Sequence, residues 1–258
     1  MTIHSLHSSV SDLHAAWRGR MAIDIGWGWF QGSIGDNHPH AHHALQIAFA
    51  DKPISVWTPE SEWNSHHGFI IGSNQLHQLA ADSSKAMLIY VEPDSHAGRL
   101  IQKRMAGQPL VGLQYDEQHK LSALTSVLES VAFNACIESS FSMCDHQHVP
   151  RELDVLMSQV IQTIQDRTDG GFQAHELASQ SSLSLSRFQH RFKQHTGLAV
   201  RPFLRWRRLL LAMTHMQAGH SMSDAAYAAG FSDAAHMSRT MRRHFGISPR
   251  DVAALLAT

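Results

Sequence analysis

Roughly the last eighty residues carry one short pattern twice, and that repeat constrains the fold more than any other feature of the chain. The first copy is HELASQSSLSLSRFQHRFKQHTG, His175 to Gly197. It predicts a short helix around Glu176–Gln180, a turn at Ser181–Leu183, an N-cap at Ser184, and a second helix to about His195 that Gly197 stops. The second copy is MSDAAYAAGFSDAAHMSRTMRRHFG, Met222 to Gly246. It predicts a helix around Ser223–Ala229 ending at Gly230, a cap at Ser232 or Asp233, and a second helix to about Phe245 before Gly246. Two helices joined by a tight turn make a helix-turn-helix unit. Two such units in tandem call for an all-helical C-terminal domain.

The faces of the two second helices sort by the 3.6-residue period. In the first, Leu185, Phe188 and Phe192 form an inward stripe, and Ser186, Gln189, His190 and Lys193 an outward one. In the second, Ala234, Met237, Met241 and Phe245 point inward, while Ala235, His236, Arg239, Arg242 and Arg243 lie on or beside the opposite face. Amide, imidazole and guanidinium groups match base edges in a major groove, arginine to guanine and glutamine to adenine. Between the copies, RPFLRWRRLLLAMTHMQAG predicts a connecting helix with Arg201, Arg205, Arg207 and Arg208 around a leucine-rich face. It reads as a rod that separates two readers, with Arg208 expected on phosphate.

Charge supports a polyanionic partner for this half. Residues 1–150 hold 8 Lys and Arg against 14 Asp and Glu, whereas residues 172–258 hold 11 against 4. The overall charge of -1 therefore hides an acidic front and a basic back, as expected of two domains with different partners. No run reaches the eighteen apolar residues of a membrane span, and MTIHSLHSSVSDLHAAW lacks the basic-then-apolar order of a secretory signal. Two cysteines, Cys136 and Cys144, do not make a disulfide framework. A cytoplasmic location with no membrane partner is expected.

Residues from about 150 to 255 resemble the AraC/XylS family of bacterial transcription regulators. The similarity runs through LASQSSLSLSRFQHRFKQHTG, RPFLRWRRLLLAM and, most specifically, SMSDAAYAAGFSDAAHMSRTMRRHFGISP, where Gly230, Phe231, Ser232, Asp233, Arg239, Phe245, Gly246, Ser248 and Pro249 fit the family signature. Met237 and Met241 stand where phenylalanine is usual, and Ala226 where isoleucine is usual. All three keep an apolar inward position, so the departures touch packing and not function.

The front half reads differently. MAIDIGWGWFQGSI, HHALQIAFA, PISVWTP, HGFIIGS and KAMLIYVEP are short apolar or alternating runs separated by Gly, Pro, Asn, Asp and Ser, which suggests an antiparallel sandwich or barrel. From about residue 117 the period changes: Leu121, Leu124, Leu128, Val131 and Ala135 predict one amphipathic helix over about 117–140. A further helix is predicted from RELDVLMSQVIQTIQDRTDGG, with Pro150 in its first turn and Leu153, Leu156, Met157, Val160, Ile161 and Ile164 buried.

Fourteen of the 21 histidines lie in this front half. On a strand, His38, His40 and His42 would share one face, and His77 on a later strand could complete a nitrogen site for Zn, Ni, Cu or Fe. His-x-His on one strand with a later histidine resembles the cupin barrel, and small sensor domains of that kind commonly precede AraC-type DNA-binding domains. The place of an acidic ligand in enzymatic cupins is taken here by Leu45 and Gln46, and GSNQLHQLAADS lacks their usual Pro-Gly. Surface histidines with no ligand are the plainer reading. Trp27, Trp29, Phe30, Phe49, Trp57 and Trp63 would either line a small-molecule pocket or form the core.

The expected architecture is thus multidomain. A cupin-like β-barrel for ligand sensing and dimerisation, with the helix at about 117–140, spans 1–145. An all-α domain with two helix-turn-helix units spans 146–258. The expected function is a sequence-specific DNA-binding transcription regulator, not an enzyme, whose front domain senses a small molecule or a metal. Candidate ligand residues are Trp29, His40, His42, Trp57 and His77, with His40, His42 and His77 as candidate holders of a divalent transition metal. Double-stranded DNA, a small-molecule effector, RNA polymerase and a second copy of the chain are the expected partners. The alternative is a cupin-type metalloenzyme with a basic helical tail.

Overall fold

The computed structural model describes residues 15–24, 26–122, 130–141, 154–167 and 171–256. The expected domain boundary at 145–146 lies outside them, as do Cys144, Pro150 and Leu153.

Seven strands form one antiparallel sheet: β1 (Arg18–Asp24), β2 (Trp27–Ile34), β3 (Leu45–Thr58), β4 (Glu62–Ile71), β5 (Gln78–Leu79), β6 (Asp82–Val91) and β7 (Leu110–Gly112). Their order is β1-β2-β6-β3-β4-β7, with β5 paired to β3. The predicted barrel is therefore an open, cupin-like sheet with β1 and β7 at its edges. The run MAIDIGWGWFQGSI is two strands joined by a tight turn, and HHALQIAFA and PISVWTP fall on the single long strand β3, whose pairing with β4 shifts register between Phe49 and Ile54.

Side chains alternate across this sheet as the period of two requires. Leu45, Ile47 and Phe49 of β3 and Met87, Ile89 and Val91 of β6 face one core, shared with Trp29, Ile101 and Phe141. That face is covered by α1 (His96–Met105), α2 (Tyr115–Ser122) and α3 (Ser130–Phe141). Ala48, Ala50, Ile54 and Val56 of β3 and Ala86 and Leu88 of β6 face the other core with Phe30 and Phe69.

The single helix predicted over 117–140 is two helices. Lys120 Nζ donates to the Ser139 carbonyl at 3.4 Å, and Cys136 Sγ donates to the Lys120 carbonyl at 3.3 Å. In one straight helix, residues nineteen apart would be roughly 28 Å distant. α2 and α3 therefore lie side by side rather than end to end, and Leu124 and Leu128 of the predicted helix fall outside the described residues.

The C-terminal part is all helical: α4 (Val155–Asp166), α5 (Ala174–Gln180), α6 (Leu185–Thr196), α7 (Val200–Gln217), α8 (Met222–Ala228), α9 (Ala234–Phe245) and α10 (Pro249–Leu256). Two cores divide it along α7. Met157, Ile161, Phe188, Phe192 and Phe203 fill the first. Trp206, Met213, Ala226, Met237, Met241 and Val252 fill the second, which runs on into the sheet domain through Ile23 and Ala44. Leu255 of α10 closes the second face of the sheet.

Candidate nucleic-acid interface and histidine cluster

Both helix-turn-helix units form as the sequence predicts. Ser184 caps α6 by accepting from Arg187 N at 3.4 Å, and Asp233 caps α9 by accepting from His236 N at 2.6 Å. Gly197 and Gly246 end these helices in the left-handed region, with φ of 76° and 69°. Phe188 and Phe192 are fully buried under α6, and Met237, Met241 and Phe245 are buried under α9. Leu185 is an exception to the predicted stripe: it is 44% exposed, because the first residue after the cap stands clear of the core that begins one turn later.

Most of the predicted outward residues are exposed. Ser186, Gln189, His190 and Lys193 are exposed on α6; Ala235, Arg239, Arg242 and Arg243 are exposed on α9, with His236 half-buried beside them. Arg208 does not join these groups. It is half-buried on α7 and lines a groove of about 160 Å³ with Asp24, Gln165 and Phe172, facing the sheet domain. Its neighbour Arg207 reaches across the same boundary to Glu92, with Nη1 at 2.9 Å from Oε1, the arginine half-buried and the glutamate buried. Gln165 adds a second bond to Glu92 at 3.3 Å.

The histidines converge, though not by the route predicted. Residues 38–44 are not a strand. Instead His40 and His77 form an isolated antiparallel bridge, each donating its N–H to the other's carbonyl at 2.9 Å. His42 lies two residues on, just before β3. His38, expected on the same face, is exposed. His40, His42 and His77 are buried, and one ring nitrogen of each lies within 4.8 Å of those of the other two. In all three rings Nδ1 lies 2.8 Å from a backbone carbonyl, that of His38, Ala44 and Gln75 respectively. A carbonyl only accepts, so each Nδ1 carries the proton and each Nε2 keeps a lone pair.

Gln46 was only half visible in the sequence. Its Oε1 lies 3.0 Å from His42 Nε2 and 3.1 Å from His77 Nε2. An amide oxygen between two proton-free nitrogens brings three acceptors together. A cation among them resolves the conflict, as does an amide turned so that its NH₂ group donates. Burial, and then the neighbouring His42, hold His40 down at about 3; burial likewise keeps His42 and His77 below the usual range. The rings are therefore neutral at ordinary pH, the state in which imidazole binds a metal. Three nitrogens backed by carbonyls, with one amide oxygen, suit a borderline transition ion.

The tryptophans do not join this cluster. Trp29 is buried on the sheet's other face, and Trp57 is paired across the strands with Trp63, which is 50% exposed. Trp206 of the helical domain stands 6.3 Å from His42 between ring centroids, and Trp17, Phe30, Tyr90 and Phe245 line the space beside His40. They enclose a cavity of only about 20 Å³.

Known proteins agree with this arrangement. Residues 177–254 match the helix-turn-helix domain family. The chain is 35% identical over 100 residues to the HTH-type transcriptional activator RhaS of Salmonella arizonae and, equally, to that of Salmonella enteritidis. That similarity covers 38% of this chain and 36% of either relative, so the chain matches about a third of their length. Over both domains the fold is that of ToxT from Vibrio cholerae, at a TM-score of 0.62 and 10% identity, covering 91% of this chain and 99% of that one. The paired helix-turn-helix units and the signature around α9 thus lie in the part of the chain, residues 177–254, that matches the helix-turn-helix domain family, and the two-domain fold is shared with ToxT.

Proposed function

We propose that the protein is a sequence-specific DNA-binding transcription regulator whose sheet domain senses a ligand. One observation carries this reading: two helix-turn-helix units stand on opposite ends of one helix, and both turn exposed polar and basic residues outward. On this reading Gln189, His190, Arg239 and Arg243 reach base edges, and Ser186, Lys193, Ala235, His236 and Arg242 fix register or touch phosphate. Arg208 has a structural role at the domain boundary rather than a place on DNA. On this reading the chain is not a cupin-type metalloenzyme; the match of its C-terminal part to proteins named as transcriptional activators supports the regulator.

Two kinds of ligand fit the sheet domain. A ToxT structure of the same fold holds an unsaturated fatty acid, and a small-molecule effector is proposed here by that analogy of fold. The cavity of about 20 Å³ beside the histidines has room for little more than a water, so an organic effector there requires the two domains to part. A divalent transition metal held by His40, His42 and His77 needs no such opening. A homodimer acting in the cytoplasm, with RNA polymerase as a contact, completes the proposal. Among the described residues no helix is long and apolar enough to cross a membrane.

The test is DNA binding by the full chain across a salt series. A duplex selected from a random pool should bind with a log–log slope of about 0.9 for each phosphate neutralised. Failure to retain any duplex at low salt would overturn the reading.

A further inference from the structure

We propose that the histidine cluster acts directly on the second reader helix: a divalent transition metal bound by His40, His42 and His77 fixes residues 38–43 against the C-terminal turn of α9 and thereby strengthens DNA binding. The inference rests on the metal reading above and goes beyond it by naming what the metal controls.

The contact is continuous from ligand to helix. The ring of His40 is held by the His38 carbonyl at 2.8 Å, and the N–H of the same His38 donates to the Gly246 carbonyl at 3.2 Å. One residue thus joins a candidate ligand to the cap of α9. The fit at that cap is tight: a Cβ on Gly246 would lie 2.6 Å from the His38 oxygen and 2.7 Å from His40 Nδ1. One residue earlier, Phe245 stands 6.1 Å from the ring of His42. One earlier again, the ring of His244 lies against the backbone of Ala41. Trp206 of α7 packs on both sides of this boundary, 6.3 Å from His42 and 5.6 Å from Phe245 between ring centroids.

The sign follows from the lone pairs. Without a cation, a Gln46 amide turned to donate satisfies His42 and His77 but grips loop 38–43 only at His42, so the loop is the less firmly fixed. With a cation the same groups attract, and the loop is held in the form that seats Gly246. Docking uses only the last turn of α9, so Arg239, Arg242 and Arg243 remain exposed on the outer face. A seated helix is a preorganised one, and preorganisation raises affinity by removing an ordering cost. Linkage makes the effect mutual: DNA must raise metal affinity by the same factor.

Gly197 supplies the control. It ends α6 in the same left-handed conformation, but nothing lies within 4 Å of the position its Cβ would take. Alanine at either position therefore strains a cap, and only alanine at Gly246 also strikes the histidine loop. The experiment uses the full chain and a selected duplex, with Co²⁺ and Zn²⁺ as the metals. Uptake is read from Co²⁺ absorption bands and DNA affinity by titration with and without metal. Metal should tighten wild-type binding roughly tenfold, within the usual range of coupling between sites. Gly197→Ala should bind DNA more weakly yet keep that factor. Gly246→Ala should take up Co²⁺ and lose the factor. Should Gly246→Ala not fold, His244→Ala, which removes the ring facing Ala41, should lose the factor instead. Uptake with no change in DNA affinity overturns the inference and leaves the metal reading standing. A factor that survives in the folded Gly246→Ala protein, or failing that in His244→Ala, does the same. No uptake at all overturns both.

Discussion

Two residues show how differently charge is used on this molecule. Arg239 is exposed on the outer face of α9, two turns from the cap, where a guanidinium can present two parallel N–H groups to guanine. Arg239→Ala should weaken binding to the selected duplex by ~1–3 kcal/mol and relax preference at one base position. Binding to duplexes with every base at that position measures it; an equal loss on all four would make Arg239 a phosphate contact. Asp94 is the opposite case. Burial first, and then the nearby Glu92, push its carboxyl up to about 6, against the pull of Arg207 and Arg99. His43 lies 3.9 Å away but is itself held at about 3, chiefly by burial, and offers no positive charge. A carboxyl raised in the folded state favours folding below its unfolded value near 4 and loses that contribution as pH rises through about 6. Asp94→Asn should therefore raise the melting temperature at pH 7.5 and give no gain at pH 4. A gain of equal size at both would show that its ionisation is not what matters.

Element by element, the sequence was most legible where a local signal and a packing signal coincide. Ser184, Asp233, Gly197 and Gly246 mark helix ends by their own chemistry, and Phe188, Phe192, Met237 and Met241 mark the inward face by spacing, so both units could be read almost to the residue. That α2 and α3 lie side by side left no such mark, because the apolar period of the sequence runs on from one to the other. Loop 38–43 was misread as a strand for a related reason. Alternating histidines imitate a period of two, and the bridge between His40 and His77 that brings the rings together is a long-range pairing with no local signature. The division of the helical domain into two cores along α7 makes a prediction at this scale. Phe192→Ala empties the centre of the first core and should cost ~3–5 kcal/mol. Hydrogen exchange should show lost protection in α4, α5 and α6, while the sheet and the second core keep theirs. Loss spread evenly over the chain would mean that α7 couples the two cores into one cooperative unit.

At the scale of the whole molecule, the two readers are held by one helix, and that sets the DNA they can read. α7 has 18 residues, so it is a rod of roughly 27 Å with one helix-turn-helix unit at each end. Its two halves lie in different cores, so neither unit can swing without unpacking part of the rod. The second unit is further pinned to the sheet by the shared core at Ile23 and Ala44, and α7 is tied to it by the ion pair of half-buried Arg207 with buried Glu92. Removing one partner of such a pair leaves a buried charge and costs about 3–5 kcal/mol, so the tie resists opening. Two helices fixed in this way can enter successive major grooves on one face of DNA only about one turn, ~34 Å, apart. Each protomer should then protect two short blocks one turn apart on a footprint. Inserting five base pairs between the blocks turns one groove about half a turn away from its reader and should reduce binding to the level of a single block. Inserting ten restores the face but lengthens the gap by another turn, which the rod cannot span, so it should bind no better. Recovery at ten with loss at five would show that the rod bends or that the second contact comes from a partner protomer. Tolerance of the five-base-pair insertion would mean that only one unit reads DNA and the other is structural.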